Sequence, residues 1–81
     1  MPRLKTLSGP DVVKKFSEFG FLIASQRGSH IKLRRVLPDG TRQTLTIPNH
    51  RELDTGTLRA IYRQALRYIS DEELRQYFYS D

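Results

Sequence analysis

The chain has 81 residues, a net charge of +5 at pH 7, a pI near 10.0 and no cysteine. The lack of cysteine excludes disulfides, zinc–thiolate sites and cysteine nucleophiles. No apolar run approaches the length of a membrane span and the N-terminus lacks a signal-peptide core, so we expect residues 1–81 to form one cytoplasmic domain.

The basic residues are mostly arginines, with ten arginines against four lysines. The planar guanidinium group of arginine binds phosphate through two parallel hydrogen bonds, which the ammonium group of lysine cannot do. A small, arginine-rich domain therefore favours a polyanionic partner, most simply nucleic acid. The alternative is a basic surface without a specific partner.

The first predicted element is a helix that begins after Ser8. Ser8 is a good N-cap, Asp11 follows at the spacing of a capping box, and Pro10 suits the first turn. Gly20 is expected to end this helix. One apolar face is predicted from the residues at helical spacing, which are Val12, Val13, Phe16 and Phe19.

Three strands are predicted next. The first covers residues 21–25 and is joined by a tight connection over residues 26–29 to a second strand, residues 30–36. A turn over residues 37–40 leads to the third strand, residues 42–47, which Pro48 closes. Both longer strands alternate, with Ile31, Leu33, Leu45 and Ile47 predicted to point inward.

Two further helices are predicted after a loop that contains His50. The first begins near Thr55 or Gly56, and the second is a short helix with Ser70 and Glu73 in capping-box positions. The buried stripe of the first of these helices is predicted to comprise Leu58, Ile61, Tyr62, Ala65, Leu66 and Ile69. In the short helix, Leu74, Tyr77 and Phe78 are expected to pack on the body of the domain.

This order predicts an α+β fold of the α-β-β-β-α type with a short extra C-terminal helix. The inward face of the three-stranded antiparallel sheet needs a cover, and the apolar stripes of the two main helices supply one. Such a two-layer sandwich resembles the double-stranded-RNA-binding domain (dsRBD) fold. The other face of the sheet is then open, and it is predicted to carry His30, Lys32, Arg34, Arg42, Thr44 and Thr46.

His30 is the candidate catalytic residue on this open face. If Ile31 is in the core, period-2 alternation turns His30 outward. Histidine is the side chain best suited to acid–base chemistry near neutral pH. Gly28 would let a phosphate backbone approach, and Ser29 can donate its hydroxyl to a phosphate. Ser29 and His30 are adjacent in an extended segment, so they are not predicted to form a nucleophile–base pair.

No metal site is predicted, because two histidines twenty residues apart lack partner ligands. No glycine-rich phosphate loop is present either. For His50 two interpretations stay open. It is either a solvent-exposed or turn-stabilising loop residue, or a supporting group near a bound RNA.

One metal-free reaction of RNA suits a basic face with a histidine. The 2′-hydroxyl attacks its own phosphate, and His30 removes the proton or protonates the leaving 5′-oxygen. Lys32, Arg34 or Arg27 would stabilise the charge that develops on the phosphate. DNA lacks the 2′-hydroxyl and would be spared.

Two stretches also carry a family resemblance. "LSGPDVVKKFSEFGFLIASQRGSHIKL" and "LTIPNHRELDTGTLRAIYRQA" resemble the HicA (YcfA-like) toxins, small mRNA interferases of type II toxin–antitoxin systems. The resemblance runs from about Leu7 to Ile69 and is most specific at "GF", "RGSH", "IPNH" and "GTLRAIYRQA". It implies a dsRBD-like fold, ribosome-independent cleavage of mRNA without a cofactor, and the histidine of "GSH", here His30, as catalytic residue.

The resemblance also implies partners. Family members are neutralised by an acidic HicB antitoxin that covers the active face, and both a homo-oligomer and a hetero-oligomer with the antitoxin stay open. The residues predicted to contact single-stranded RNA are Arg27, Gly28, Ser29, Lys32, Arg34 and Arg42, and His50 is a candidate supporting residue whose role stays open. Two alternatives remain, a non-catalytic dsRBD-like RNA-binding module and a protein whose basic face binds only an acidic partner.

The sequence departs from the family pattern in two places. Many members have an aromatic residue or a second histidine soon after "GSH", whereas Ile31, Lys32 and Leu33 follow here. The C-terminal stretch "SDEELRQYFYSD" is longer and more aromatic than the family requires. It is interpreted as an added helix or as a contact for an antitoxin or a second copy.

Overall fold

The computed structural model describes residues 3–80 and has the predicted α+β architecture. A three-stranded antiparallel sheet packs against helices, and a second sheet of two short strands joins the ends of the described chain. None of the helices in residues 3–80 has the length and apolar character needed to cross a membrane. In chain order the elements are β1 (Arg3–Leu4), α1 (Gly9–Glu18), β2 (Leu22–Arg27), β3 (His30–Val36), β4 (Arg42–Pro48), α2 (Thr55–Ala65), α3 (Asp71–Phe78) and β5 (Tyr79–Ser80).

The hydrophobic core lies between one face of the β2–β3–β4 sheet and the helices. The four inward residues of the alternation pattern, Ile31, Leu33, Leu45 and Ile47, are all buried, as predicted. They share one cluster with residues from all three helices, such as Phe16 of α1. The two-layer, dsRBD-like arrangement is therefore confirmed, and within residues 3–80 the helices contribute to the core on one face of the sheet.

Helix α1 begins where the sequence indicates. The Ser8 hydroxyl accepts a hydrogen bond from the Asp11 amide, and the Asp11 carboxylate accepts one from the Ser8 amide, both at 3.0 Å. These reciprocal bonds satisfy two amides that a helix start leaves without partners. At the other end Gly20 has a φ of +93°, a conformation that favours glycine and lets the chain turn back into the sheet.

The first hairpin differs in detail from the prediction. β2 begins at Leu22 and continues through Arg27, so the connection to β3 is a two-residue turn, Gly28 and Ser29. Only Gly28 has a positive φ, +56°, which is the pattern of a type II′ turn. Phe21 lies just before the strand and is fully buried, which explains its strand-like, apolar signal.

The C-terminal part differs from the prediction at Leu66. Helix α2 ends at Ala65, and the turn that follows leaves Leu66 42% exposed instead of buried. Ile69 is buried as predicted, and α3 follows with Ser70 as its N-cap. The antiparallel pair of β1 and β5 was not predicted, because two residues are too short to show a period.

Arg35 connects the sheet to the ends of two helices. Its guanidinium donates to the carbonyl of Phe19 at 3.0 Å, to the carbonyl of Tyr68 at 3.2 Å and to the Gln43 side chain at 2.8 Å. The same group lies 4.6 Å from the ring centroid of Phe21. Helix ends leave carbonyl groups without intrahelical partners, so Arg35 satisfies acceptors that follow both α1 and α2.

We expect Arg35→Lys to destabilise the protein, because an ammonium group cannot reach three acceptors in different directions. Loss of hydrogen bonds from a charged donor to half-buried acceptors predicts a decrease of about 2 kcal/mol in the free energy of unfolding. Chemical denaturation followed by circular dichroism measures this. Arg42→Lys on the neighbouring strand is the control, since Arg42 is exposed, and an equal effect of both substitutions would contradict the role of Arg35.

Candidate nucleic-acid interface

His30 is the first residue of β3, which is the central strand of the three-stranded sheet. Its cross-strand neighbours are Arg27 on β2 and Pro48 on β4. His30 is exposed while Ile31 beside it is 5% exposed, so the predicted outward orientation of His30 is confirmed. Residues directly opposite each other in a sheet have Cβ atoms about 5 Å apart. Arg27 is therefore a cation directly across the strand pair from His30.

The strand register places the other predicted cations on the same face. Lys32 pairs with Ser25 and Thr46, and it is exposed two positions along β3 from His30. Arg34 pairs with Leu22 and Thr44 but is half-buried, and its Nε has no hydrogen-bond partner among the residues that the structure describes. The side chain of Arg34 is thus less available to a ligand than that of Lys32.

Arg42 lies at the far end of this face. It pairs with Val36, six positions along β3 from His30. At about 3.4 Å per residue, this places Arg42 roughly 20 Å from His30. Arg42 is exposed, so it could contact a polyanion that follows the length of the sheet, but not the phosphate next to His30.

The turn before His30 is open to solvent. A Cβ atom on Gly28 would meet no heavy atom within 4 Å, so nothing in the described chain fills the space beside the turn. Ser29 lies in the turn and not in the strand, and its carbonyl accepts a hydrogen bond of 2.6 Å from the amide of Asn49. This bond fixes the turn to the loop that follows β4.

The loop that carries His50 is held from its other side by helix α1. The amide of Gly9 donates to the carbonyl of His50 at 2.8 Å. A Cβ atom on Gly9 would lie 2.1 Å from the Pro48 carbonyl oxygen and 3.0 Å from the Asn49 Cα, so the two backbones touch. The start of α1, the loop after β4 and the turn before β3 thus form one hydrogen-bonded unit. His50 belongs to this unit, and His30 follows its turn directly in the sequence.

Two members of this unit were missed from the sequence. Asn49 acts through its backbone amide, and a backbone donor leaves no signal in residue type. Gly9 stands between an N-cap serine and a proline, where many residues are compatible with a helix start. A glycine there is a weak sign of close backbone approach. His50 lies in a loop, as predicted, and its side chain is exposed.

The charges around the site are mostly positive. From residue 22 to residue 48 the only acidic side chain is Asp39, in the turn far from His30. Hydrogen bonds from Thr41 lower the pKa of Asp39, so it stays ionised near neutral pH. Asp54 caps α2 a few residues after His50, and its pKa is lowered mainly by the hydrogen bond from the Thr57 amide. Residues 3–80 contain no group of three or more histidine and carboxylate side chains that could hold a metal ion.

Comparison with known proteins gives one family match. The model of a family described as the HicA toxin of bacterial toxin–antitoxin systems matches residues 9–66 of the 81-residue chain. This range includes the whole α1–β2–β3–β4–α2 segment and both histidines. Searches of curated proteins and of solved structures found no match.

We expect Gly9→Ala to separate α1 from the loop that carries His50, because the new methyl group cannot fit against the Pro48 carbonyl. Overpacking of this kind costs about 1–3 kcal/mol of folding free energy. Hydrogen exchange of the Asn49 amide should also become faster, since its bond to Ser29 is loosened. Both effects can be measured, by thermal unfolding and by amide exchange in NMR spectra.

The matched control is Gly56→Ala in the first turn of α2. A Cβ atom there meets only the Asp54 carboxylate, at an ordinary contact distance of 3.5 Å. Alanine in a helix is favoured over glycine by about 0.5–1 kcal/mol, so this variant should be as stable as the parent or more stable. Equal stability of the two variants would show that the approach at Gly9 is not tight.

The cap at Asp54 predicts how stability changes with pH. Its pKa is below the ordinary 3.8 in the folded state, so the unfolded chain takes up a proton first as the pH falls. The stabilisation is present above about pH 3.8 and is lost as the pH drops from there through the lower folded pKa. Asp54→Asn keeps the capping acceptor without the charge. Its melting temperature should fall less steeply below pH 3.8 than that of the parent, and parallel curves would contradict this.

Proposed function

Because this chain belongs to the HicA toxin family of bacterial toxin–antitoxin systems, we propose that it acts as an endoribonuclease that cleaves mRNA. The observation that carries the proposal is the position of His30. It is exposed at the start of the central strand, opposite Arg27, on a sheet face whose strands have no carboxylate. A solvent-accessible imidazole between cations suits the attack of a ribose hydroxyl on a phosphate.

The proposed reaction uses the 2′-hydroxyl of the RNA as nucleophile. His30 takes the proton of this hydroxyl while its oxygen forms a bond to the adjacent phosphorus. The bond from phosphorus to the 5′-oxygen breaks, and that oxygen takes up a proton from solvent or from a second group such as His50. The products are a 2′,3′-cyclic phosphate and a 5′-hydroxyl end. No metal ion or cofactor takes part in these steps.

The cations have different roles in this proposal. Arg27, directly across from His30, stabilises the negative charge that grows on the phosphate oxygens. Lys32, with Arg42 at the far end, binds neighbouring phosphates and sets the position of a single-stranded RNA along the sheet. Gly28 leaves the approach to His30 free, and Ser29 contacts the same phosphate group from the turn. Arg34 is half-buried, so in this proposal it attracts the RNA through its positive charge and does not contact a phosphate directly.

The second histidine is proposed as a supporting group. The bonds from Asn49 to Ser29 and from Gly9 to His50 hold the loop beside the turn that precedes His30. These bonds support a role for His50 as the acid that protonates the leaving 5′-oxygen while His30 takes the proton of the attacking 2′-hydroxyl. The proposed partner of the toxin is an acidic HicB-like antitoxin, which the basic open face would attract.

We expect His30→Ala to reduce the cleavage rate of a single-stranded RNA by about 100-fold or more, because general acid–base catalysis contributes roughly 10²–10⁴-fold. The melting temperature should change little, since the His30 side chain is exposed. Gel analysis of labelled RNA measures the rate, and end-group analysis should find cyclic phosphate and 5′-hydroxyl termini. Addition of a chelator should leave the rate unchanged.

The controls separate catalysis from RNA binding. Arg27→Ala and Lys32→Ala should weaken cleavage, whereas Arg59→Ala on α2 should not, although Arg59 is also exposed. A loss of about 100-fold in His50→Ala would identify His50 as the second proton-transfer group. If His30→Ala cleaves as fast as the parent, the catalytic role is wrong. If the parent binds RNA in a salt-dependent manner without cleaving it, the chain is an RNA-binding module.

A further inference from the structure

The two edge strands of the three-stranded sheet, β2 and β4, differ in whether another part of the chain bonds to their outer backbone groups. At the β4 edge the side chain of Gln64 takes the place of a neighbouring strand. The Thr46 amide donates to Gln64 Oε1 at 2.8 Å, and Gln64 Nε2 donates to the Thr46 carbonyl at 3.4 Å. A carboxamide that pairs with both backbone groups of one residue blocks strand addition there.

The β2 edge has no such cover in residues 3–80. The strand order places β2 at the edge of the sheet, and all six of its residues are exposed. Beside the two-residue turn, Arg27 and His30 form the closing hydrogen-bonded pair. Pairs alternate in an antiparallel ladder, so the amide and carbonyl of Gln26 point away from β3. These backbone groups are available to another strand.

The side chains of β2 add an apolar component to this edge. Leu22 is 64% exposed and Ile23 is 59% exposed, and among the other large hydrophobic residues of the described chain only Val36, at 59%, is exposed to a similar extent. They pair with Arg34 and Leu33, which lie on opposite faces of the sheet. Apolar residues exposed on both faces of an edge strand can be covered together by one added strand.

The charge pattern identifies the kind of strand that fits. Arg27 is the charged residue of β2, and Lys32, Arg34 and Arg42 add three cations on the open face of the sheet, whereas the three strands contain no acidic residue. A second copy of the chain would bring the same cations and a net charge of +5. An acidic polypeptide is attracted to this edge, whereas a second copy is repelled from it.

The β-bulge in β2 makes the edge selective. The register between β2 and β3 shifts between Ile23 and Ser25, which divides the strand into two short pairing stretches. A bulge increases the local twist and disfavours flat pairing with unrelated strands. A partner must match this bend as well as the charge.

We propose that the outer edge of β2 is a docking site for an extended, acidic segment of the antitoxin, which adds a fourth strand to the sheet. Since Arg27 at the end of β2 lies opposite His30, a strand bound along this edge reaches the catalytic site at one end. It would neutralise Arg27 and close one side of the approach to His30. This inhibitory consequence rests on the proposed function, whereas the docking itself does not.

The test uses the intact chain and the acidic antitoxin purified as its complex partner, with binding measured by calorimetry in the absence of RNA. Ile23→Glu should weaken antitoxin binding at least tenfold, because it removes apolar contact and repels an acidic strand. Ile23→Lys removes the same contact but keeps the attraction, so it should weaken binding less. The difference between the two should shrink at high salt.

A backbone variant tests strand addition directly. Gln26→Pro removes an outward-facing amide at an edge strand, where proline is tolerated, and should also weaken binding at least tenfold. Leu66→Glu is the control, because Leu66 is an exposed apolar residue on the turn after α2 and should leave binding unchanged. Melting temperatures confirm that each variant is folded. If Ile23→Glu and Gln26→Pro both bind like the parent, the docking site is elsewhere.

Other outcomes are also decisive. If the chain alone forms a dimer in sedimentation experiments and Gln26→Pro makes it a monomer, the edge binds a second copy and the acidic partner is wrong. If the β2 variants lose RNA binding, the edge belongs to the RNA interface. Should His30→Ala cleave RNA normally while the β2 variants still lose the antitoxin, the docking site stands and the catalytic proposal fails.

Discussion

The contact of Gly9 with the backbone of residues 48–50 is the constraint on which the candidate site depends. It joins the first turn of α1 to the loop after β4, and the Asn49 amide joins that loop to the turn before β3. Segments far apart in the sequence are thereby fixed around His30 by backbone bonds alone. A site held by backbone atoms leaves its side chains free, and this is why Gly28, Ser29, His30 and His50 can all be exposed.

The central part of this arrangement could be predicted from the sequence. Two strands with strict alternation define which face is buried, because a slip of one residue would place Ile31 and Leu33 in solvent. That single requirement turns His30 and Lys32 outward together. The helix caps could be predicted equally well, since the Ser8 and Ser70 hydroxyls accept hydrogen bonds from amides three positions later in the sequence. Local bonds and periodic burial are both properties of neighbouring sequence.

The rest could not be predicted, because it depends on contacts between distant segments. Arg35 resembles its neighbour Arg34 in sequence, yet it lies on the helix side of the sheet, where it binds the carbonyls of Phe19 and Tyr68. Leu66 fits the helical period of α2, but the helix has ended before it. Neither the β1–β5 pair nor the bond from Asn49 to Ser29 has a residue-type signal. Tertiary contacts decided each of these features.

The faces and edges of the sheet differ in which other parts of the chain pack against them. Its inner face is closed by helices, its β4 edge is closed by the Gln64 carboxamide, and its open face keeps the cations and His30 accessible. Cations that share a sheet face without carboxylates destabilise the fold, since like charges on neighbouring strands repel each other. The fold tolerates this repulsion because Arg35 points to the inner side, where neutral acceptors solvate its charge, and because water and salt screen the exposed cations. Such a surface gains most from an anionic ligand, and RNA and an acidic polypeptide would compete for the same positive potential. Competition for one potential is a direct physical route by which an antitoxin could silence a toxin without changing its fold.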